Sequence, residues 1–185
     1  PDILAGRDLA QGGTWLGITK NGRFAAVTNF RNPNQPKGKL SRGALVSDFL
    51  REKQTVAEYL QTVKNEAESY TGFNLLVGDF VNDQLAYFSN QGNDIKTLEA
   101  GIYGLSNALL DTPWQKVLRG KSNLTKIISN KTIPNNALFD ILQDRTLAMD
   151  KDLPNTGIGI EKERILSPCF IETPIYGTRS SAVLL

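Results

Sequence analysis

Asn21-Gly22 constrains this chain more tightly than any other pair of residues. Both positions favour positive φ, which makes Asn-Gly the strongest short hairpin signal. Ahead of it, Trp15, Gly17 and Thr19 alternate with Leu16 and Ile18, and Arg23 to Asn29 supplies a return strand. The spacing predicts a β-hairpin over Trp15–Asn29. Gly12-Gly13-Thr14-Trp15 leads into it as a tight glycine turn. Paired glycines let a backbone approach a ligand, although a turn or bulge is the commoner reason for them. Trp15 can stack on a flat ligand or pack into a core, and packing is the commoner use. Asn29, a polar residue at a strand end, is placed either for a site or as a plain terminator.

Downstream, Asn32–Leu40 is a loop with two prolines and a glycine, its Lys37 and Lys39 read as solvated. Gly43–Leu50 predicts a short helix. Thr55-Val-Ala-Glu58 is a capping box, and Val56, Tyr59, Leu60, Val63 and Ala67 fall on one helical face, a core face. Phe73–Asp79 predicts a buried strand with a hairpin partner at Leu85–Ser89. A turn over Gln91–Asp94 and a short strand around Ile102 follow. Three short helices are predicted over Pro113–Arg119 (Gly120 as its C′ residue, Trp114, Val117 and Leu118 inward), Leu124–Ser129 and Asn136–Gln143. Ile127, Ile128, Leu138, Ile141 and Leu142 are their buried positions. Asp144–Gly159 is a long loop, Glu161 and Glu163 sit in a solvated charge run, and strands close the chain around Cys169–Ile171 and after Pro174. Strands and helical blocks in this order give an α+β layered fold in a single domain, residues 1–185.

Composition excludes more than it selects. Hydrophobic residues make up 40% and charged residues 22%, a globular balance, and the net charge of +2 is too small to argue for nucleic acid. No apolar run reaches the length of a membrane span, and none reads as a secretory h-region. There is no histidine, so no Ser-His-Asp or Cys-His arrangement and no histidine-ligated haem exists within the chain, and the common zinc sites lose their usual nitrogen ligand. No metal ligand set is selected. The single cysteine, Cys169, forms no internal disulfide and fits a reducing compartment.

Tyr103–Trp114, YGLSNALLDTPW, is the stretch richest in chemistry. Its apolar approach delivers Ser106 and Asn107, and Leu109 and Leu110 anchor the following turn. A carboxamide held there donates from its nitrogen and accepts at its oxygen, which suits an oxyanion hole or recognition of a ligand carbonyl. The commoner use of a turn asparagine is a bond to its own backbone. Arg179, between Thr178 and Ser180 on the last strand, can clamp a carboxylate or tune a thiolate, or serve as an exposed strand arginine.

Three stretches carry a family resemblance: AGRDLAQGGTWLGITKNGRFAAVTNFR (Ala5–Arg31), YGLSNALLDTPW (Tyr103–Trp114) and YGTRSSAVLL (Tyr176–Leu185). In order and separation they resemble the signatures of the NRDE family, which includes the animal transport and Golgi organisation proteins. That family resembles N-terminal nucleophile hydrolases. The resemblance therefore implies a four-layer αββα sandwich, with the N-terminal and C-terminal strands of that fold missing from this chain. The absent Met-Cys start and Asn-Arg-Asp-Glu tetrad, and the apolar run at the chain's end, imply a fragment or a processed chain, with a fragment the expectation. In such hydrolases an N-terminal cysteine is both nucleophile and, through its α-amine, general base, a scheme that needs no histidine. Asn29, Asn107 and Arg179 resemble three of the other catalytic positions. Gly12, Gly13, Thr14, Trp15 and Ser106 are the candidate ligand-binding residues. Arg7-Asp8 belongs to the first motif rather than to the catalytic set, and Cys169, being internal, is not the nucleophile.

Two functions follow as expectations. The first is handling and trafficking of haem or another hydrophobic ligand, with no tightly bound cofactor. Any haem would be held by apolar packing and weaker ligation from tyrosine, Met149 or Cys169. The second is an N-terminal-cysteine amidohydrolase of linear, nonpeptide amides, whose nucleophile this chain lacks. The expected partner is a small molecule, without nucleic acid or a membrane span. The expected location is cytoplasmic: the bacterial cytosol, or the cytosol, mitochondria or Golgi surface of a eukaryote.

Overall fold

The computed structural model describes residues 2–130 and 132–185. They fall into two units, the first of residues 1–101 with 106–109, the second of residues 102–105 with 110–185.

The first unit is a six-stranded antiparallel sheet whose strands lie side by side in chain order. They are β1 (Ile3–Ala5), β2 (Leu16–Thr19), β3 (Arg23–Asn29), β4 (Phe73–Asp79), β5 (Gln84–Ser89) and β6 (Gly92–Thr97). Helices α1 (Arg42–Arg51) and α2 (Val56–Asn65) intervene between β3 and β4. The core lies where they meet one sheet face: Ala25, Val27, Leu75, Val77 and Phe88 pack with Leu45, Phe49, Leu60 and Val63. Each of these buried valine, leucine and phenylalanine side chains contributes roughly 1.5–3 kcal/mol. The predicted capping box is present, with Thr55 Oγ1 accepting from the Glu58 N–H at 3.2 Å and Glu58 Oε2 from the Thr55 N–H at 2.9 Å.

The hairpin forms where Asn21-Gly22 places it, but by a different turn. Gly22 takes φ 78° and Asn21 does not enter the positive-φ region. Ile18 pairs with Phe24, so a three-residue connection lies between Thr19 and Arg23, closed by Gly22 N–H to the Thr19 carbonyl at 3.2 Å. One left-handed glycine after an ordinary turn does the work expected of two residues. Trp15 stays outside the strand and is 40% exposed, not packed in the core, with the Arg42 guanidinium 5.6 Å from its ring centre. The predicted turn over Gln91–Asp94 is displaced. Ser89 pairs with Gly92, so Asn90-Gln91 makes the turn and β6 occupies the rest; Ile102 lies in no strand.

The second unit holds α3 (Gln115–Ile128), α4 (Asn135–Leu142) and α5 (Ile160–Ile165). Two predicted helices are therefore one, running through Gly120. A glycine ends a helix by turning left-handed, and Gly120 does not. The cost of an interior glycine, roughly 1 kcal/mol against alanine, is borne by this longer helix. Leu118 and Ile128 are exposed rather than inward. Cys169–Ile171 and the segment after Pro174 form no strand beyond one antiparallel bridge, Glu172 to Gly177, across a turn in which Thr173 Oγ1 donates to the Tyr176 carbonyl at 2.6 Å. Among the described residues this unit contains no strand to pair with them.

Candidate functional site

The end of β3 and the segment Ser106–Leu109 form the most chemically distinctive place in the first unit. Alternation along β3 turns the Asn29 carbonyl and the Arg31 N–H toward the β2 side, past Trp15, whose carbonyl takes the last strand-like bond, from Val27 N–H at 2.9 Å. Asn107 fills the place beyond. Its side-chain Nδ2 donates to the Asn29 carbonyl at 3.0 Å, and its own carbonyl accepts from the Arg31 N–H at 2.7 Å. The turn asparagine thus bonds a distant backbone instead of its own.

A polar relay backs this contact. Tyr87 OH donates to Asn74 Oδ1 at 2.8 Å, Asn74 Nδ2 to Thr28 Oγ1 at 3.1 Å, and Thr28 Oγ1 to the Ser106 carbonyl at 2.8 Å. Tyr87 and Asn74 are buried, so the relay crosses β5, β4 and β3 within the protein. Buried polar groups this well satisfied fix their neighbours in one arrangement. Ser106 contributes its backbone. Nothing in the sequence pairs Thr28, Asn74 and Tyr87, but a polar Asn74 inside the apolar run of β4 was the available signal.

Asn29 supplies the exception. Its Oδ1 is buried and accepts no hydrogen bond. An acceptor already stripped of water and left unsatisfied is costly in a folded protein, and it gains fully when a donor reaches it. Gln54 Oε1 is in the same state, but lies in the link between α1 and α2.

The whole chain is matched by known proteins. A family model described as transport and Golgi organisation 2 matches residues 1–185. The chain belongs to the transport and Golgi organisation 2 family. It is 34% identical over 199 residues to the transport and Golgi organization protein 2 homolog of Bos taurus, covering all of this chain and 72% of that protein. Against the Homo sapiens homolog the identity is also 34%, with the same coverage. The Drosophila melanogaster transport and Golgi organization protein 2 is 25% identical, with 70% of it covered.

Of the residues singled out in this family member, the fold brings Asn29, Ser106 and Asn107 together. Thr14 is buried, its hydroxyl donating to the Leu16 carbonyl at 3.1 Å and its N–H to the Gly43 carbonyl at 3.2 Å. Gly12 takes φ 77° in a turn that Asp8 caps by accepting the Ala10 N–H at 2.8 Å. Gly13 lies against the backbone of Gly43, where any Cβ would overlap. Gly12 shapes the turn, and Gly13 and Thr14 seat it against Gly43. Arg179 belongs to the second unit and is exposed.

The second unit holds a carboxylate that the sequence places in solvent and the fold buries. Glu163 is 3% exposed instead of solvated, its Oε1 accepting from the Thr156 N–H at 2.8 Å and the Thr156 hydroxyl at 2.5 Å. It pins the long loop onto α5. Burial pushes the Cys169 thiol up, away from the thiolate form a nucleophile needs. Among the described residues no group of three or more His, Cys, Asp or Glu is placed to hold a metal, and no helix is long and apolar enough to cross a membrane.

Proposed function

We propose that this family member binds and hands on a hydrophobic small molecule, haem among the candidates, on a scaffold like that of the N-terminal nucleophile hydrolases. The observation that carries the reading is the buried, unbonded Oδ1 of Asn29 beside the Asn107 contact. A ligand N–H or O–H reaching that oxygen gains a hydrogen bond without desolvating the acceptor first. The family's name, transport and Golgi organisation, supports a handling role.

The hydrolase-like scaffold has support of its own. The sheet face opposite α1 and α2 carries Leu16, Ile18, Phe24, Ala26 and Leu76, an apolar set that a second sheet of an αββα sandwich would cover. Amide hydrolysis is the weaker reading. An oxyanion hole wants its donors free, and one of the two Asn107 Nδ2 hydrogens is committed to the Asn29 carbonyl.

Titration of haem into the intact protein, followed by Soret absorbance, tests the proposal. Saturable binding weakened at least tenfold by Asn29→Ala or Asn107→Ala supports it. The Arg179→Ala variant asks whether the exposed arginine joins the same site. Absence of saturable binding, together with turnover in an amide-substrate screen, would replace it with the hydrolase reading.

A further inference from the structure

A second place in the first unit has the build of a ligand site. A cleft of about 820 Å³ opens between the loop after β3, the end of α2 and the turn between β5 and β6. That volume lies within the usual range for small-molecule sites, roughly 300–1,000 Å³. Ala67, Tyr70 and Phe88 give it an apolar floor, while neither Asn29 nor Asn107 lines it.

Its walls are fixed by backbone contacts. Gln35 Oε1 accepts the Gly72 N–H at 2.9 Å, and Thr71 Oγ1 accepts the Gly38 N–H at 2.8 Å. Gly38 lies so close to Tyr70 and Thr71 that a Cβ would overlap their main chain. Asn90 ties the far wall, donating to the carbonyls of Ala67 and Tyr70 at 3.1 Å each and accepting the Phe73 N–H at 2.9 Å. A pocket so braced loses little freedom when it is filled.

Lys37 and Lys39 from the loop and Lys64 from α2 are among the residues that line this cleft. Among the described residues none of the three makes an ion pair, and Glu68 is the one carboxylate among the lining residues. Surplus positive charge in a concave site concentrates anions. We infer that this cleft binds an amphipathic anion, its carboxylate, sulfonate or phosphate held by Lys37, Lys39 and Lys64 and its apolar body laid on Tyr70 and Ala67.

Fluorescence titration with anilinonaphthalene sulfonate, an amphipathic anion, tests the inference on the intact protein, with neutral phenylnaphthylamine as the uncharged counterpart. The expected result is one saturable site that takes the sulfonate at least tenfold more tightly than the neutral compound and weakens as salt is added. The combined Lys37→Glu, Lys39→Glu and Lys64→Glu variant should lose at least tenfold in affinity, while Lys20→Glu, elsewhere on the surface, binds as the parent does. Charge-neutral Lys37→Gln with Lys39→Gln should weaken binding in the same direction, and circular dichroism melting confirms that each variant folds. Equal binding of the neutral compound, undiminished binding by the triple variant, or no saturable site would overturn it.

Discussion

The side-chain amide of Asn107 donates to the main-chain carbonyl of Asn29 at 3.0 Å, across 78 residues of sequence. One side chain thereby stands in for the strand residue that β2 does not provide. The neighbouring Asn29 Oδ1 remains buried and unbonded. The two asparagines therefore differ in kind: one spends its side chain on the fold, the other leaves its side-chain acceptor unbonded.

That difference predicts opposite balances of stability and binding. Asn107→Ala removes a hydrogen bond worth about 1 kcal/mol and should lower the denaturant midpoint while weakening ligand binding. Asn29→Ala removes an unsatisfied acceptor, so stability should hold within about 0.5 kcal/mol or rise while binding falls. Chemical denaturation and haem titration of the same two variants check both halves.

The relay behind the site should behave as a unit. Tyr87→Phe takes the donor from buried Asn74 Oδ1 and should cost about 1–3 kcal/mol. Thr28→Val, nearly the same shape, takes both the acceptor for Asn74 and the donor to the Ser106 carbonyl. A double-mutant cycle of the two should give a coupling of at least about 0.5 kcal/mol by urea unfolding; strict additivity would mean that the relay does not act as a unit.

Two glycines of the first motif should respond differently to alanine. A Cβ on Gly13 would lie 2.6 Å from the Gly43 carbonyl oxygen, backbone that cannot swing aside. Gly13→Ala should cost about 1–3 kcal/mol. Gly6 has nothing within 4 Å and no positive φ, so Gly6→Ala should be neutral or slightly stabilising, by up to about 1 kcal/mol. Thermal midpoints of both variants decide the matter.

Asp111 gives the second unit an acid limb. Burial alone would raise its pKa, but hydrogen bonds from Lys121 Nζ at 2.6 Å and the Gly104 N–H at 2.8 Å, with the Lys121 charge, hold it below the usual carboxylate value. A carboxyl whose folded-state pKa is depressed contributes stability above its unfolded pKa, about 3.9, and loses it as pH falls through the folded value. Asp111→Asn keeps a residue that tolerates φ 59°. It should be less stable than the parent at neutral pH, with the gap closing below about pH 4. Urea midpoints measured against pH would show whether the two curves converge.

Local chemistry was legible in the sequence and distant pairing was not. Asn21-Gly22, the Thr55–Glu58 box and the apolar run of β4 each declare an element within a few residues, and all three formed. Gly120 misled because a glycine reads as a stop, while α3 makes it an interior residue. Glu163 looked solvated because its partner, Thr156, sits in a loop with no periodicity to mark it. Asn29 and Asn107 were each readable as polar residues at the end of a strand and in a turn. That one would bond the other's backbone depends on where β2 stops, which only the assembled sheet decides.

The sheet's order has a consequence for synthesis. Every strand lies beside the one made just before it, so a chain leaving the ribosome can add each strand to an existing edge. Only β4 must wait, while residues 30–72 emerge and set down α1 and α2, the single long closure in the sheet. By the time Asn107 appears, all six strands precede it in the chain. In vectorial synthesis the bond from Asn107 to Asn29 is therefore among the last contacts of the first unit to become available.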